Sequence, residues 1–374
     1  MTKKALKLRN WIMLVPIMVL MGCSSDDNAG GDVPLVQTAD FVVIGEDLDN
    51  VYQYSYVGDD ASGTTLDLTQ EMGVPSNYLT LGQHEETLSF FTFRSGAFSL
   101  ALKNLATGET NNYEDFYTVT PERAVTWGIN NDIKAFFGYF GPSGSSNLGL
   151  HDVELNGTLQ EDIVVDFNVD ATFRPLLYNG KVYMAFRDNL GVYKLAHYDI
   201  TTSSIRGILI LGTTPISFFV TETGDIAIVK NEAKAALDIH SGVDLSFIET
   251  IETEVTLGFS PGVINNIVLD GDRLYFNFQY PQPSRFVEGP AIHDLNTKTT
   301  FFLDLAGLVS QAEARIGKSI AITTQVYDPS QAVFLIAYGT LEDEVEGGVL
   351  IVSEKGELLQ QVSMPFFPTY IVRN

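Results

Sequence analysis

The sequence predicts an all-β fold, a seven-bladed β-propeller, and three observations lead to it. From residue 40 onward, β-branched and aromatic runs of five to eight residues alternate with Gly, Asn, Asp, Pro and Thr, a pattern typical of short strands joined by turns. The pattern repeats along the chain. A last strand, Pro368–Val372, follows the seventh unit, whereas the first unit, about 40–75, is short of strand material. Both termini are therefore expected to share one blade and close the ring. Six or eight blades are the alternatives, because the first unit is weak.

The second strand of each unit carries the clearest repeat. Successive copies start 36 to 59 residues apart, which brackets the roughly 40–50 residues of a propeller blade. The predicted copies are Val51–Val57, Thr87–Phe93, Ile133–Tyr139, Val182–Phe186, Ile226–Val229, Leu274–Phe278 and Val333–Tyr338.

The third strand of each unit recurs as an apolar run that ends in a polar turn. These segments are 100–109, 150–158, 195–204, 236–243, 291–299 and 350–358. One segment departs from the pattern: in Asp304–Lys318, apolar residues recur at a spacing near 3.6, which predicts a short helix between the sixth and seventh blades.

The first residues are expected to lie outside the propeller. Residues 1–22 combine a basic start with an apolar run of 11 residues, Trp11–Met21. That run is too short to span a bilayer but suits a signal peptide. The polar segment that follows has the composition of a flexible tether. The predicted organisation is a signal peptide at 1–22, an acidic tether at 23–39 and the propeller at 40–374.

The end of the apolar run, Leu20-Met21-Gly22-Cys23, resembles the lipobox of bacterial lipoproteins. This resemblance implies cleavage before Cys23 and a lipid anchor on its sulfur and amino group, giving stable membrane attachment through several acyl chains. The alternative is an ordinary secretory signal. The acidic pair Asp26-Asp27 is similar to the surface-export signal of Bacteroidota lipoproteins, and the alternative is a polar linker that faces the periplasm.

Composition excludes several classes of function. A single Cys excludes an intramolecular disulfide framework and a CxxC metal or redox site. The chain has 22 basic and 47 acidic residues and a net charge of −25. Loss of the four basic residues in the signal segment would lower this to −29. Such acidity argues against nucleic acid as a partner, because the phosphate backbone requires a basic surface.

Catalytic and metal-binding patterns are weak. Four of the five histidines lie in predicted third strands or their turns. Equivalent places in different blades are spread around the ring, so bonds within each blade are favoured over a zinc site. Gly258-Phe259-Ser260-Pro261-Gly262 matches G-x-S-x-G, but Pro261 has no N–H for an oxyanion hole and residues 263–268 predict a strand, not a helix. The sequence therefore predicts no catalytic residue, metal or cofactor, and a protein that is not an enzyme.

The few basic residues are more informative. Arg94, Arg187 and Lys230 end predicted second strands, Arg285 lies in a long loop, and Arg123 and Arg174 precede first strands. All six are expected on one rim, with Tyr139 and Tyr280 in the same loops. Such a rim would select an anionic ligand that bears rings, through charge, cation–π contacts and stacking. The alternative is that these bases form ion pairs within their own blades.

The combination of lipobox, acidic tether and propeller resembles the Bacteroidota propeller lipoproteins of unknown function. Some similar proteins capture ferric siderophores at the cell surface beside a TonB-dependent transporter. The resemblance implies an outer-membrane, surface-exposed lipoprotein that binds a small anionic ligand such as a ferric siderophore for uptake. The alternatives are a glycan-processing enzyme with carboxylates in the propeller channel and a protein-interaction scaffold in the cell envelope.

Overall fold

The predicted fold class is confirmed: seven antiparallel sheets form the blades of a β-propeller. A computed structural model describes residues 38–156, 160–231, 235–253, 255, 257, 260–341 and 345–373. The predicted signal peptide, Cys23 and the tether up to residue 37 lie outside the described residues.

The strands follow the chain from blade to blade. Blade 1 contains β1 (Phe41–Glu46), β2 (Val51–Val57), β3 (Ser62–Asp67) and β30 (Phe367–Ile371). Blade 2 contains β4 (Thr80–His84), β5 (Thr87–Arg94), β6 (Ala97–Asn104) and β7 (Thr110–Thr118). Blade 3 contains β8 (Ala124–Asn130), β9 (Lys134–Phe140), β10 (Leu148–Glu154) and β11 (Gln160–Asp166).

The next two blades each hold a fifth short strand. Blade 4 contains β12 (Val169–Thr172), β13 (Leu176–Tyr178), β14 (Lys181–Asp188), β15 (Tyr193–Asp199) and β16 (Ser204–Gly212). Blade 5 contains β17 (Ile216–Val220), β18 (Ile226–Asn231), β19 (Ala235–His240), β20 (Phe247–Glu252) and β21 (Gly262–Val263), and β21 pairs with β17 in parallel.

The last two blades have four strands each. Blade 6 contains β22 (Val268–Asp270), β23 (Arg273–Gln279), β24 (Glu288–Asp294) and β25 (Thr299–Phe302). Blade 7 contains β26 (Ile320–Asp328), β27 (Val333–Thr340), β28 (Gly347–Ser353) and β29 (Leu358–Met364). Residues 264–267, expected as strand, are not in a strand, and only Val263 and Val268 of that predicted segment are.

The ring closes as predicted, through strands from both ends of the described chain. β30 pairs antiparallel with β1, with Val43 opposite Ile371. The blade order is β3-β2-β1-β30, so the later part of the chain supplies one strand and the earlier part three. The prediction that Val51–Val57 is a second strand is therefore wrong. It is second along the chain but third in its blade, because β30 occupies the first position.

The first strand of a blade lies innermost and the fourth outermost. Strands β4 and β8 line a central cavity, whereas the fourth strands β7 and β16 expose every second residue or more. Because adjacent strands in a blade are antiparallel, loops alternate between the two ends of the ring. We call the end with the second-to-third-strand loops and the links between blades, such as 119–123, the connection face. The end with turns such as 85–86 and 105–109 is the hairpin face.

The core lies between neighbouring blades, which explains the clarity of the second and third strands in the sequence. All eight residues of β27 and all seven of β28 are buried, because both faces of a mid-blade strand pack against other blades. One apolar cluster joins β27 and β28 to β1, and another joins them to β23. Burial on both faces requires continuous apolar runs, where burial on one face gives alternation.

Two helices interrupt the strands. The predicted one is confirmed as α2 (Leu305–Ile316), which begins at the N-cap Asp304 and packs Leu308 and Ala312 into the core between blades 6 and 7. The five-residue α1 (Leu68–Met72) was not predicted. Within the described residues, neither helix has the length and apolarity required to cross a membrane.

Candidate functional site

The innermost strands surround a central cavity of about 470 Å³. This volume lies within the roughly 300–1,000 Å³ of small-molecule sites. Innermost strands of blades 2, 3 and 4 supply most of the wall. The lining residues are Leu79, Thr80, Leu81, Gly82, Gln83, Ser89, Phe91, Phe98, Thr126, Trp127, Gly128, Ile129, Asn130, Thr172, Phe173, Arg174, Pro175, Leu176, Leu177 and Asn265.

A break in the innermost strand of blade 4 places a charged side chain in this wall. β12 and β13 both pair with β14, and residues 173–175 separate them. Pro175 has no N–H to donate to the ladder, which favours a break at this position. The side chain of Arg174, between the two strands, remains exposed to the cavity.

An indole ring forms another part of the wall. The Trp127 N–H donates a hydrogen bond to Thr172 Oγ1 at 3.0 Å, which links blades 3 and 4. The ring packs over Gly138, where a Cβ atom would lie 2.1 Å from the indole. Trp127 is half-buried, so part of its ring faces the cavity. With Phe91 and Phe173, it gives the wall aromatic surface suited to a ring or an apolar group of a ligand.

The cavity differs in charge from the rest of the protein. The net charge of the chain is −25, yet the lining residues include no Asp or Glu, and Arg174 is their one ionised group at neutral pH. Among the described residues, Arg174 makes no hydrogen bond or ion pair. The other polar groups of the wall are hydroxyls and carboxamides, which hydrogen-bond a ligand without adding charge.

A second arginine, Arg373, lies beside this wall and was not singled out in the sequence. Its backbone carbonyl accepts a hydrogen bond from Gln83 Nε2 at 2.7 Å, and its backbone N–H donates to Gln83 Oε1 at 3.1 Å. Its Nη2 donates to Asn266 Oδ1 at 3.1 Å. Arg373 therefore bridges blade 2 and the segment that precedes blade 6.

The environment of Arg373 is unfavourable for its charge. Part of its surface remains accessible to solvent, but surrounding protein desolvates its guanidinium. The resulting desolvation lowers its pKa, and the positive charge of Arg174 lowers it further. No sequence motif marks Arg373; its role follows from closure of the ring, which brings the residues after β30 to the centre.

Seven of the eight predicted binding residues lie at the connection face, but the basic ones are mostly paired within their blades. Arg123 pairs with Asp162, Arg187 with Asp170, and Lys230 with Asp238. Arg285 pairs with Glu313 of α2 at 2.5 Å. These four ion pairs match the alternative expected from the sequence, in which the bases pair locally with carboxylates. Such pairing reduces the positive charge that the rim offers to a ligand.

The structure brings only some of these residues together. Arg123 lies over the ring of Tyr139 at 5.6 Å, and the Tyr139 hydroxyl donates to Asp162 at 3.0 Å. Tyr280 lies near Phe286, whose ring faces Arg285 at 5.4 Å. Arg94, Arg187 and Lys230 lie in three separate blades.

Two of the predicted positions differ from this paired arrangement. Arg94 is exposed and has no hydrogen bond or ion pair within the described part of the chain. The prediction that Arg174 lies on the rim just before a first strand is wrong. It lies between β12 and β13 of the interrupted innermost strand, because β12 already begins at Val169, and it lines the cavity.

Three histidines make polar contacts within their own blades, and a fourth is buried without a hydrogen bond. His240 Nδ1 lies 2.9 Å from the Leu245 carbonyl, His293 Nδ1 lies 2.9 Å from Thr300 Oγ1, and His151 Nδ1 lies 2.9 Å from Asp162 Oδ1. Both ring nitrogens of His197 lack a hydrogen-bond partner. Across the described residues, no three or more His, Cys, Asp or Glu side chains are grouped to hold a metal ion.

The requirements of glycoside hydrolysis are not met by the cavity wall, which lacks carboxylates. A neighbouring recess of about 210 Å³, which shares Asn265, contains Glu288, and Asn277 Nδ2 donates to that carboxylate at 3.0 Å. The G-x-S-x-G segment lies partly outside the described residues. Its Ser260 offers a backbone carbonyl to the Ser217 hydroxyl at 2.8 Å.

Comparisons with known proteins support the fold only. No protein-family model and no curated protein sequence matches the chain. Among solved structures, puromycin hydrolase is similar with a TM-score of 0.52 at 9% identity, over 87% of this chain and 55% of that one. The chain thus spans about half the length of that protein. A candidate 6-phosphogluconolactonase from Bacteroides fragilis has a TM-score of 0.50 at 11% identity, over 89% of this chain and 98% of that one.

Proposed function

We propose that this protein is a non-enzymatic, lipid-anchored lipoprotein of the outer membrane, facing the cell surface, whose propeller binds a small ligand in the central cavity. A ligand that bears a ring and an acidic group, such as a ferric siderophore, fits the aromatic and basic groups of the wall. Binding for uptake would make a TonB-dependent transporter the expected partner.

The charge contrast of the cavity carries this proposal. The chain has 47 acidic residues, yet none of them lines this cavity. The wall instead presents Trp127, uncharged polar groups and Arg174. This composition favours an organic ligand, since aromatic and apolar surface with a few placed polar groups is the usual composition of small-molecule sites.

The position of Trp127 provides a direct test. The sequence has two tryptophans, Trp11 and Trp127, so a Trp11→Phe chain carries its single indole in the cavity wall. Titration with ferric catecholate complexes is expected to quench this fluorescence saturably. Gly82 lines the cavity, and the Gly82→Leu variant is expected to weaken binding at least tenfold because its side chain would occupy part of that space. Quenching that never saturates, or equal affinity in the Gly82→Leu chain, would contradict binding in the cavity.

A second candidate function, protein interaction, is favoured by apolar side chains on the connection face. Leu48, Leu190 and Val287, in three second-to-third-strand loops, are 86%, 80% and 72% exposed. These side chains lie in blades 1, 4 and 6 on the same face of the ring, and exposed apolar surface suits a protein partner. A Leu48→Ser/Leu190→Ser/Val287→Ser chain is expected to lose any membrane protein that co-purifies with the parent in detergent. Quenching of its Trp127 fluorescence by ferric catecholate complexes is expected to be unchanged. Retention of that partner by the triple variant would count against this candidate, and Ile133→Ser on the hairpin face is the control.

A further inference from the structure

We propose that Arg174 and Arg373 together bind a carboxylate or phosphate group of the ligand, at the part of the central cavity nearest the hairpin face. This inference rests on the proposed function, since it assumes that the cavity holds a ligand. It adds the chemical class of the ligand, its orientation and a binding residue, Arg373, that lies outside the predicted rim.

The depth of the two arginines follows from the strand directions. The innermost strands run from the connection face to the hairpin face, because each follows a link between blades. Arg174 lies at the middle of the interrupted strand β12–β13, and Arg373 follows the end of β30, on the hairpin side. Gln83, near the hairpin end of β4, lines the cavity and holds the backbone of Arg373 through both of its amide atoms.

The backbone of Arg373 is thus fixed while its guanidinium keeps bonding capacity. The one hydrogen bond of its side chain goes to the neutral amide of Asn266 at 3.1 Å. A guanidinium has five N–H donors, so most of those of Arg373 remain for a ligand. Arg174 makes no side-chain bond within the described structure.

Two guanidinium groups without a carboxylate favour an anion between them. Within the described residues, neither forms an ion pair, in contrast to Arg123, Arg187 and Arg285. A bound carboxylate or phosphate would replace the mutual repulsion of Arg174 and Arg373 with charge-assisted hydrogen bonds, which are stronger than neutral ones and suit the planar fork of arginine.

The rest of the wall sets the orientation of the ligand. Asn130 and Asn265 supply neutral amide groups around the cavity. Trp127, on the innermost strand of blade 3, supplies a ring face. The acidic group is therefore expected to lie toward the hairpin face, with the ring of the ligand along Trp127.

The test compares an acid with its neutral analogue in the Trp11→Phe chain. The probes are 2,3-dihydroxybenzoate, 2,3-dihydroxybenzamide, phenyl phosphate and phenol. Each anion is expected to bind at least tenfold more tightly than its neutral analogue. In the Arg174→Gln/Arg373→Gln chain this preference is expected to fall to less than twofold, and in the Arg174→Lys/Arg373→Lys chain it should be partly kept. The two anions show separately whether carboxylate and phosphate are accepted.

Two controls separate charge at this site from charge elsewhere and from folding. Arg187→Gln removes one positive charge at the rim and is expected to leave the preference for the anion unchanged. Melting temperatures of the variants establish that they are folded. Equal affinity for acid and neutral analogue, or a preference that persists in the double glutamine variant, overturns the inference while leaving the cavity as a binding site. A Trp127 signal that responds to no probe and to no ferric catecholate contradicts the proposed function itself, and the inference with it.

Discussion

A Gly45→Ala substitution is expected to destabilise the propeller by roughly 3 kcal/mol, the upper part of the usual range for overpacking. Gly45 lies in β1 where the ladder to β30 changes register. A Cβ atom there would lie 2.2 Å from the Phe367 carbonyl oxygen and 2.4 Å from the ring of Phe366, which is fully buried. Since backbone cannot move aside as a flexible side chain can, the closing pair would have to separate.

The matched control is Gly82→Ala, in the innermost strand of blade 2. The nearest atom to a Cβ there is Ser89 Cβ at 3.9 Å, an ordinary contact. This variant is expected to remain within about 0.5 kcal/mol of the parent. Urea denaturation, followed by circular dichroism, measures both. Equal stability of the two variants would show that the pairing of β1 and β30 does not limit the stability of the ring.

The second expected result is a loss of stability in acid that depends on His197. This side chain is 1% exposed, and its two ring nitrogens have no hydrogen-bond partner. Burial lowers its pKa, Lys181 and Arg206 lower it further, and Asp199 and Asp244 oppose the shift. The folded protein therefore keeps His197 neutral at a pH where the unfolded chain, titrating near 6.5, takes up a proton.

The sign of the pH dependence follows from this difference. The contribution of His197 is complete above about pH 6.5 and decreases as the pH falls toward its lower folded pKa. The slope is at most about 1.4 kcal/mol per pH unit for one proton. His151, whose pKa is also lowered by burial, adds to the slope.

A His197→Leu variant is expected to unfold less readily in acid and to be as stable as the parent, or more so, at pH 8. The reason is that leucine removes a buried group whose polar atoms are unsatisfied, at a usual cost of about 1–3 kcal/mol. Denaturation curves from pH 8 to pH 5 give the comparison. His84→Leu, at a partly exposed site in β4, is the control. An unchanged slope in the His197→Leu chain would contradict the assignment.

The sequence was sufficient for the architecture because mid-blade strands bury both faces. Continuous apolar runs such as Val333–Tyr338 cannot be mistaken for outer strands, and the helix after Asp304 has a clear period. The position of Val51–Val57 was not predictable from its own residues, since its rank depends on β30, more than 300 residues away. The helix α1 is too short to show periodicity.

The candidate site was less accessible to sequence analysis. The rim bases were placed correctly around the connection face, but which carboxylate each one meets depends on register between strands, as in the pairing of Arg187 with Asp170. Arg174 was placed before a first strand, whereas it lies between β12 and β13, where Pro175 interrupts the innermost strand. Arg373 lacked any local pattern.

Closure of the ring also sets the order of events when the protein is made. β30 and Arg373 follow blades 2 to 7 along the chain, so Gln83 and Asn266 are synthesised before the arginine that they contact. A nascent chain can form six blades before then but has neither its closing strand nor the second arginine of the proposed anion site. A ligand that binds both arginines would therefore recognise only chains in which β30 has closed the ring, and its binding energy would favour the closed ring over any opened form.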